Sequence, residues 1–279
     1  MSNENYRPSG YRLLPDVIKN LLIINVIMYL ATQFLLSRGI DLTDILGLHY
    51  FASEKFRIYQ FVTYMFMHDY NGFAHIFLNM LALYMFGSVV ENVWGGKKFL
   101  TFYLLTGLGA ALSHYAIVYF QIQPSIEFFN EYINSADINK MYALVNSDAY
   151  AANFGADFRD LLQQNPQKAL EVSIDFARQF RMELLNAPVV IGASGAVYGV
   201  LLAYGMLFPN SLLYLFFAIP VKAKYVVIIY GVIELFSGIS SHDNVAHFAH
   251  LGGLLTGIII ILFWRYKDRN RRNDYFNNG

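Results

Sequence analysis

Residues 192–208 read GASGAVYGVLLAYGMLF, and residues 245–264 read VAHFAHLGGLLTGIIIILFW. Both runs are apolar, yet each carries a polar residue near its start, Ser194 in the first and His250 in the second. Because an α-helix rises about 1.5 Å per residue, each of these residues lies roughly 22 Å from the far end of its helix. A hydrocarbon core is about 30 Å thick, so both side chains are predicted to lie inside a membrane at matching depths. Polar residues there are costly and indicate a functional site by default.

The composition favours a membrane protein. Hydrophobic residues make up 56% of the chain and charged residues 14%, whereas soluble domains carry about 25% charged residues. Long continuous apolar runs predict helices. The formal net charge is zero, so we predict no nucleic-acid partner. The absence of cysteine excludes disulfides, thiolate metal sites and a cysteine nucleophile, and we predict neither a metal site nor a cofactor.

Six apolar segments predict an all-α fold, a polytopic membrane protein with a bundle of six transmembrane helices. These segments are residues 17–36, 73–93, 99–120, 192–208, 223–238 and 245–264. The first lacks a small-residue cleavage site, so we expect it to be retained rather than removed as a signal peptide. Residues 212–219 are apolar but too short to span, and we expect them to lie at the membrane interface.

Lysine and arginine concentrate in segments that all fall on one side of such a bundle. The positive-inside rule then places both termini in the cytoplasm, with Ser194 and His250 near the outer face of a plasma membrane. The predicted organisation is a cytoplasmic tail (1–16), helices 1–3 with outer loop 1 (17–120), a helical outer-face insertion (121–187), helices 4–6 (188–264) and a basic cytoplasmic tail (265–279).

The insertion is rich in helix-forming residues. Asn165 followed by Pro166 is typical of an N-cap and the first helical position, and the helix is expected to run to about Leu185. Two roles stay open for this segment. It is either a small helical cap that packs on itself or on the membrane surface, or an element that gates substrates or binds a partner.

Small residues four apart recur in two of the predicted helices. They are Gly195 and Gly199 in the fourth helix and Gly253 and Gly257 in the sixth. Glycines at this spacing let membrane helices approach closely, which would bring Ser194 within reach of His250. A neutral imidazole that accepts a serine proton makes a nucleophile and its general base. The alternative is a helix-packing serine beside a buried, hydrogen-bonded histidine.

The second helix adds another polar pair. His75 and Asn79 share one face at a spacing of i, i+4, and Asn79 lies roughly 22 Å from Trp94, the same depth as Ser194. Acyl transfer requires donors aimed at the developing oxyanion, and these side chains with the Ser194 backbone N–H would supply them. Alternatively, His75 and Asn79 only satisfy each other or cap the helix.

These motifs together resemble those of the rhomboid intramembrane serine proteases. The motifs are Gly-Ala-Ser-Gly at residues 192–195, Ala-His-x-x-Gly at residues 249–253 and His-x-x-x-Asn at residues 75–79. The resemblance implies that Ser194 is the nucleophile and His250 the general base, and that Tyr198 stacks on the His250 ring. It also implies that His75 and Asn79 help to form the oxyanion hole and that Gly253 is the close-packing glycine.

Two features depart from the family's pattern. The family often has Trp-Arg in the first outer loop, where this chain has Tyr59-Gln60, and the insertion before Ser194 is unusually large. The predicted function is hydrolysis of peptide bonds in or next to transmembrane segments of membrane proteins, with such proteins and the lipid bilayer as partners. The alternative is a non-catalytic rhomboid-like binder of transmembrane helices in membrane protein quality control. A transporter is disfavoured because no inverted repeat is evident. The sequence leaves the oligomeric state open.

Three further polar residues lie in or near the predicted helices. We expect His247, one turn before His250, to form hydrogen bonds near the site, and Glu91 and Glu234 to form structural hydrogen bonds. No acidic residue is assigned to orient His250, so a serine–histidine dyad is predicted rather than a triad. No third ligand is evident that would make His247 and His250 a metal site.

Overall fold

The computed structural model of the chain describes residues 10–69, 72–147, 151–187, 189–215, 219–240 and 244–277. Helices dominate these residues, which confirms the predicted all-α class. The α-helices are α1 (Asp16–Leu36), α2 (Leu42–Leu46), α3 (Gln60–Thr63), α4 (Phe73–Ala82), α5 (Ser88–Trp94), α6 (Gly96–Ser135), α7 (Ile138–Val145), α8 (Ala156–Gln164), α9 (Pro166–Asn186), α10 (Ser194–Leu207), α11 (Ala223–Ser240) and α12 (Asn244–Asn277). Short strands are β1 (Leu48–His49), β2 (Val189–Val190), β3 (Leu212–Leu215) and β4 (Ile219–Lys222).

Five helical segments within the described ranges are long and apolar enough to cross a membrane. They are Asp16–Leu36, Phe73–Trp94 (α4 and α5, joined by a π-helical turn at Leu83–Gly87), Gly96–Ser135, Ala223–Ser240 and Ala246–Asn270. The protein is therefore a polytopic helical membrane protein. The helix α10 is also apolar, but its 14 residues make it about 21 Å long, shorter than the hydrocarbon core. A sixth crossing through α10 stays a prediction.

Two helices continue beyond their predicted ends. The helix α6 runs past residue 120 to Ser135, and α12 runs past residue 264 to Asn277. The apolar pattern marks only the stretch suited to lipid, whereas the backbone stays helical as long as good helix formers follow. The ends of these apolar runs therefore do not mark the ends of the helices.

The chain forms two compact units. The first comprises Met1–Leu48, Arg57–Ile117 and Val190–Gly279, and the second comprises His49–Phe56 and Val118–Val189. Within the first unit, α10 is the most enclosed helix, and most of its side chains from Gly195 to Gly205 are buried. The helix α11 instead exposes apolar side chains such as Ile228 and Phe236. Exposed apolar surface on a membrane-spanning helix suits lipid tails.

A buried carboxylate begins the first helix. Glu91 on α5 accepts hydrogen bonds from the backbone N–H groups of Val17 (3.0 Å) and Ile18 (2.8 Å). These donors lack intrahelical partners, and a negative charge is favourable at a helix N-terminus. The structural hydrogen bonds predicted for Glu91 are confirmed.

Residues 212–222 form a structure that the hydropathy pattern did not predict. The strands β3 and β4 pair in an antiparallel hairpin, with Leu212 opposite Lys222 and Tyr214 opposite Pro220. A two-stranded sheet has only edge strands, so a proline that lacks an N–H is tolerated there. The expected position of this segment at the membrane interface stays a prediction.

The second unit has its own apolar core. Its fully or nearly fully buried residues are Phe129, Tyr132, Met141, Leu144, Val145, Phe154, Ala169, Leu170 and Ala177. Within it, the Tyr132 hydroxyl and Ser173 Oγ are 2.5 Å apart and form a buried hydrogen bond. The side chain of Asn165 accepts from the Lys168 N–H (3.1 Å), and Pro166 is the first residue of α9, which confirms the predicted start of this helix.

Candidate active site

Ser194 is the first residue of α10, and the backbone before it is held in an uncommon conformation. Gly192 has φ of +119°, a region that glycine adopts readily because it has no Cβ. Its N–H donates to the carbonyl oxygen of Tyr64 (2.9 Å). This bond fixes the turn that leads into α10 and exposes the N–H groups of the first helical turn, which have no partner within the helix.

Close contact between α10 and α12 carries Ser194 to His250. A Cβ added at Gly253 would overlap the carbonyl oxygen of Gly195, and one added at Gly257 would lie 3.6 Å from the Cα of Gly199. The helices approach to this distance because these positions have no side chains. Ser194 Oγ and His250 Nε2 are then 2.8 Å apart, and they form a hydrogen bond.

Tyr198 lies one turn after Ser194 and packs against His250. The two rings are stacked, with centroids 4.3 Å apart and an interplanar angle of 10°. This contact restricts rotation of the imidazole, because the ring cannot turn about χ2 without meeting the tyrosine.

His75 and Asn79 reach the same place from α4. A Cβ added at Gly192 would lie 3.6 Å from both His75 Cε1 and Ser194 Oγ, so the imidazole lies beside the serine. Asn79 is mostly buried, and its Nδ2 donates to the backbone carbonyl of His75 (3.1 Å). The side chain of Asn79 is therefore held against its own helix by one of its two N–H groups.

All five of the predicted catalytic and supporting side chains line one cavity of about 470 Å³. Its remaining walls are mostly apolar and come from α4, the π-helical turn, α10, α11 and strand β3, with Leu78, Met85, Leu201 and Val226 among them. A mostly apolar cavity with a few convergent polar groups is the usual form of a binding or active site.

The first outer loop is held by the residues that replace the family's Trp-Arg. Gln60 is buried, and its Nε2 donates to the carbonyl oxygen of Ile45 (3.1 Å), while its Oε1 accepts from the Arg57 N–H (3.0 Å). The Tyr59 hydroxyl donates to the same Ile45 oxygen (3.3 Å). An amide thus fixes this loop by hydrogen bonds to the backbone.

A carboxylate also lies beside His250, so the expectation that no acidic residue is placed there was wrong. Glu234 Oε2 is 2.6 Å from His247 Nδ1 and 3.1 Å from His250 Nδ1, and Oε1 accepts a hydrogen bond from the Tyr198 hydroxyl. The sequence contained a signal for it. Glu234 lies 11 residues after Ala223, about 16 Å along an apolar helix, where a carboxylate is itself a functional indication.

The donor atoms of Glu234, His247 and His250 lie within 4.8 Å of one another, a spacing that a metal ion can also bridge. Zinc holds such ligands at about 2.0–2.2 Å, which places neighbouring ligand atoms about 3.3 Å apart in a tetrahedron. Oxygen–nitrogen separations of 2.6 and 3.1 Å are instead those of groups that share protons. We therefore assign these side chains as a hydrogen-bonded cluster.

Comparison with known proteins agrees with the motifs. The Rhomboid domain family model matches residues 55–122 and 170–267. The chloroplastic Rhomboid-like protein 11 of Arabidopsis thaliana is 35% identical over 98 residues, which are 35% of this chain and 32% of that protein. An uncharacterized mitochondrial rhomboid protein of Schizosaccharomyces pombe is 26% identical over 222 residues, which are 74% of this chain and 51% of that protein.

The chain thus spans about a third to a half of the length of these curated relatives. The family match leaves out residues 123–169, which fall within the second compact unit. It includes the segments that contribute every side chain of the cavity described above. The chain belongs to the rhomboid family.

Proposed function

We propose that this protein is an intramembrane serine protease that hydrolyses peptide bonds in or next to transmembrane segments of other membrane proteins. The observation that carries the proposal is the 2.8 Å hydrogen bond between Ser194 Oγ and His250 Nε2 at the wall of an apolar cavity. A serine hydroxyl becomes a nucleophile when a base accepts its proton, and this geometry supplies the base.

The reaction follows from the two side chains. Ser194 Oγ attacks the carbonyl carbon of the substrate while His250 Nε2 takes the hydroxyl proton, and the carbonyl electron pair moves to the oxygen. Collapse of this intermediate breaks the carbon–nitrogen bond, and His250 gives its proton to the leaving amine. A water molecule, deprotonated by His250, then attacks the acyl ester and releases Ser194.

The oxyanion is stabilised at the start of α10. The N–H of Ser194 lies at the positive end of the helix dipole and has no intrahelical acceptor. His75 and the second N–H of the Asn79 amide line the same cavity and complete the donor set. Both reach the cavity from α4, so the donors come from two helices that the fold holds in place.

The substrate must expose a peptide bond to this cavity. In an intact helix each carbonyl is hydrogen-bonded and shielded by side chains, so the substrate segment unwinds before it is cut. Segments with glycine or proline near the cut are therefore the expected substrates, since these residues weaken helices.

The second candidate is a non-catalytic binder of transmembrane helices, which the apolar cavity would also serve. A fluorophosphonate probe, which reacts with activated serines, separates the two functions in purified, folded protein. A protease labels, and labelling disappears in Ser194→Ala. A folded protein that binds a single-span membrane substrate but neither labels nor cleaves it is a binder. Cleavage of that substrate by the wild type, lost in Ser194→Ala and His250→Ala, completes the test.

For membrane placement, we propose that both termini face the cytoplasm of a plasma membrane and that the cavity opens to the outer face. The basic segments flanking the predicted helices support this orientation. The chain has no cysteine, so single cysteines introduced into residues 1–16, 121–187 and 265–279 report sidedness directly. An impermeant maleimide added outside should label only the 121–187 position, and labelling of either tail would reverse the orientation.

A further inference from the structure

We infer that Glu234 is a positioning residue for the proposed reaction, holding His250 in the tautomer and orientation that receive the serine proton. The inference rests on the proposed function, since it concerns the base of that same site. It adds a third member, contributed by α11, to the pair contributed by α10 and α12.

Burial of Glu234 gives the first argument. The residue is 6% exposed in an otherwise apolar helix, where an unpaired carboxylate would be strongly unfavourable. It is nevertheless accommodated, because three potential donors converge on its two oxygens. They are the Tyr198 hydroxyl, His247 Nδ1 and His250 Nδ1. So many partners around one carboxylate indicate a built arrangement rather than a chance contact.

The second argument concerns the proton on His250. An ionised carboxylate can only accept hydrogen bonds, so the proton of a neutral His250 is favoured on Nδ1, 3.1 Å from Glu234 Oε2. The free lone pair is then on Nε2, which faces Ser194 Oγ at 2.8 Å. This is the tautomer that a general base needs.

The third argument is the charge that appears during the reaction. When Ser194 gives up its proton, His250 becomes an imidazolium inside a largely apolar cavity, and a fixed negative charge beside Nδ1 stabilises it. In the resting structure Nδ1 is close to Oε2 but not aligned with it as a hydrogen bond. Such bonds are often poorly aligned before the substrate binds and tighten with it.

Tyr198 connects the two parts of this arrangement. Its ring stacks on His250, while its hydroxyl donates to Glu234. A Tyr198→Phe variant keeps the stacking and removes only the donor to the carboxylate. His247 holds the other side, at 2.6 Å from Oε2. Neither residue touches the reacting atoms, so both act through Glu234.

The test measures the rate of fluorophosphonate labelling at Ser194 against pH in detergent-solubilised, full-length protein. The titratable groups around the base are His75 from α4, Tyr198 from α10, Glu234 from α11 and His247 on its own helix. Glu234→Gln preserves shape and removes the charge. Loss of an equivalent carboxylate in a serine protease triad costs about 10⁴-fold, and we expect at least about 10²-fold here.

A structural defect would lower the labelled fraction but leave the shape of the pH profile unchanged. Loss of the counter-charge instead moves the acid limb to lower pH, because the imidazolium is no longer stabilised. Glu91→Gln is the matched control, since Glu91 is also a buried helical carboxylate, 5% exposed, but caps α1. It should label within about twofold of the wild type. Tyr198→Phe and His247→Gln should each show a smaller loss with the same direction of shift.

The outcomes separate the two proposals. If the wild type does not label at Ser194, the proposed function fails. If the wild type labels but Glu234→Gln keeps the same rate and pH profile, only the positioning role fails. Should Glu234→Gln not fold, wild-type profiles in Tyr198→Phe and His247→Gln would overturn the inference equally. Wild-type labelling that depends on EDTA would also overturn it, since the cluster would then hold a metal ion.

Discussion

Replacing Gly253 with alanine tests whether the glycine contact between α10 and α12 sets the distance between the reacting side chains. The added Cβ would overlap the carbonyl oxygen of Gly195 and lie 2.8 Å from its carbonyl carbon, whereas ordinary contact begins at 3.4 Å. Both atoms belong to backbone, which cannot rotate away. The two helices must therefore separate by at least about 0.6 Å, and overpacking of this kind costs about 1–3 kcal/mol.

The consequence for the site follows from its geometry. Ser194 and His250 lie at this same contact and are 2.8 Å apart, so a comparable separation takes them beyond the usual hydrogen-bond range of about 2.7–3.2 Å. A misplacement of about 1 Å in an active site can cost 10²-fold in rate. We expect Gly253→Ala to label with fluorophosphonate about 10²-fold more slowly than the wild type.

Two other glycines provide graded controls. An alanine Cβ at Gly257 would lie 2.9 Å from Leu202 Cδ2, a side-chain end that is able to move, and we expect a smaller loss. At Gly231, on the other face of α12, it would lie 3.7 Å from Leu254 Cδ1, in ordinary contact. Gly231→Ala should match the wild type in both labelling and Tm. Wild-type labelling by folded Gly253→Ala, or an equal loss in all three variants, would refute the reasoning.

Three further predictions concern stability and are read as Tm or the free energy of unfolding. Glu91→Gln should lose about 2 kcal/mol, because its neutral amide cannot accept from both N–H groups of α1; an unchanged Tm would contradict this. Burial, with a smaller effect of nearby His75, lowers the pKa of His68 from 6.5 to about 4. The unfolded state therefore binds more protons between these values, so stability should fall by up to about 3 kcal/mol as pH drops through this window, and His68→Phe should reduce that fall. Ser173→Ala should cost about 1–3 kcal/mol by leaving the Tyr132 hydroxyl unpaired, and the loss should be less than additive with Tyr132→Phe.

The parts of the fold that the sequence predicted are those set by local periodicity. Apolar runs located the helices, and Asn165-Pro166 located the start of α9, because capping depends on adjacent residues. The hairpin at residues 212–222 was not predicted, since an apolar run of this length carries no signal that separates a strand pair from an interfacial segment. The ends of α6 and α12 were misjudged because hydropathy reports lipid contact rather than helical backbone.

The site divides in the same way. Ser194 and His250 could be paired from sequence because glycine spacing implied which faces of two helices meet, and depth along each helix gave their height. Glu234 comes from a third helix, α11, whose rotation about its own axis no small-residue motif specified. Its depth alone did not indicate which neighbour it would face. Only tertiary packing places its carboxylate between the two histidines and Tyr198.

A carboxylate in the middle of an apolar helix nevertheless narrows the choice in advance. It must find donors from neighbouring helices, because the lipid offers none and its own helix has already paired its N–H groups. Few side chains can supply those donors at the depth of Glu234, and His247, His250 and Tyr198 do so here. Matching buried carboxylates to donors at equal depth on other helices therefore extends the argument that paired Ser194 with His250. Applied to this chain, it turns an apparent dyad into a three-helix arrangement whose third member the Glu234→Gln pH profile tests.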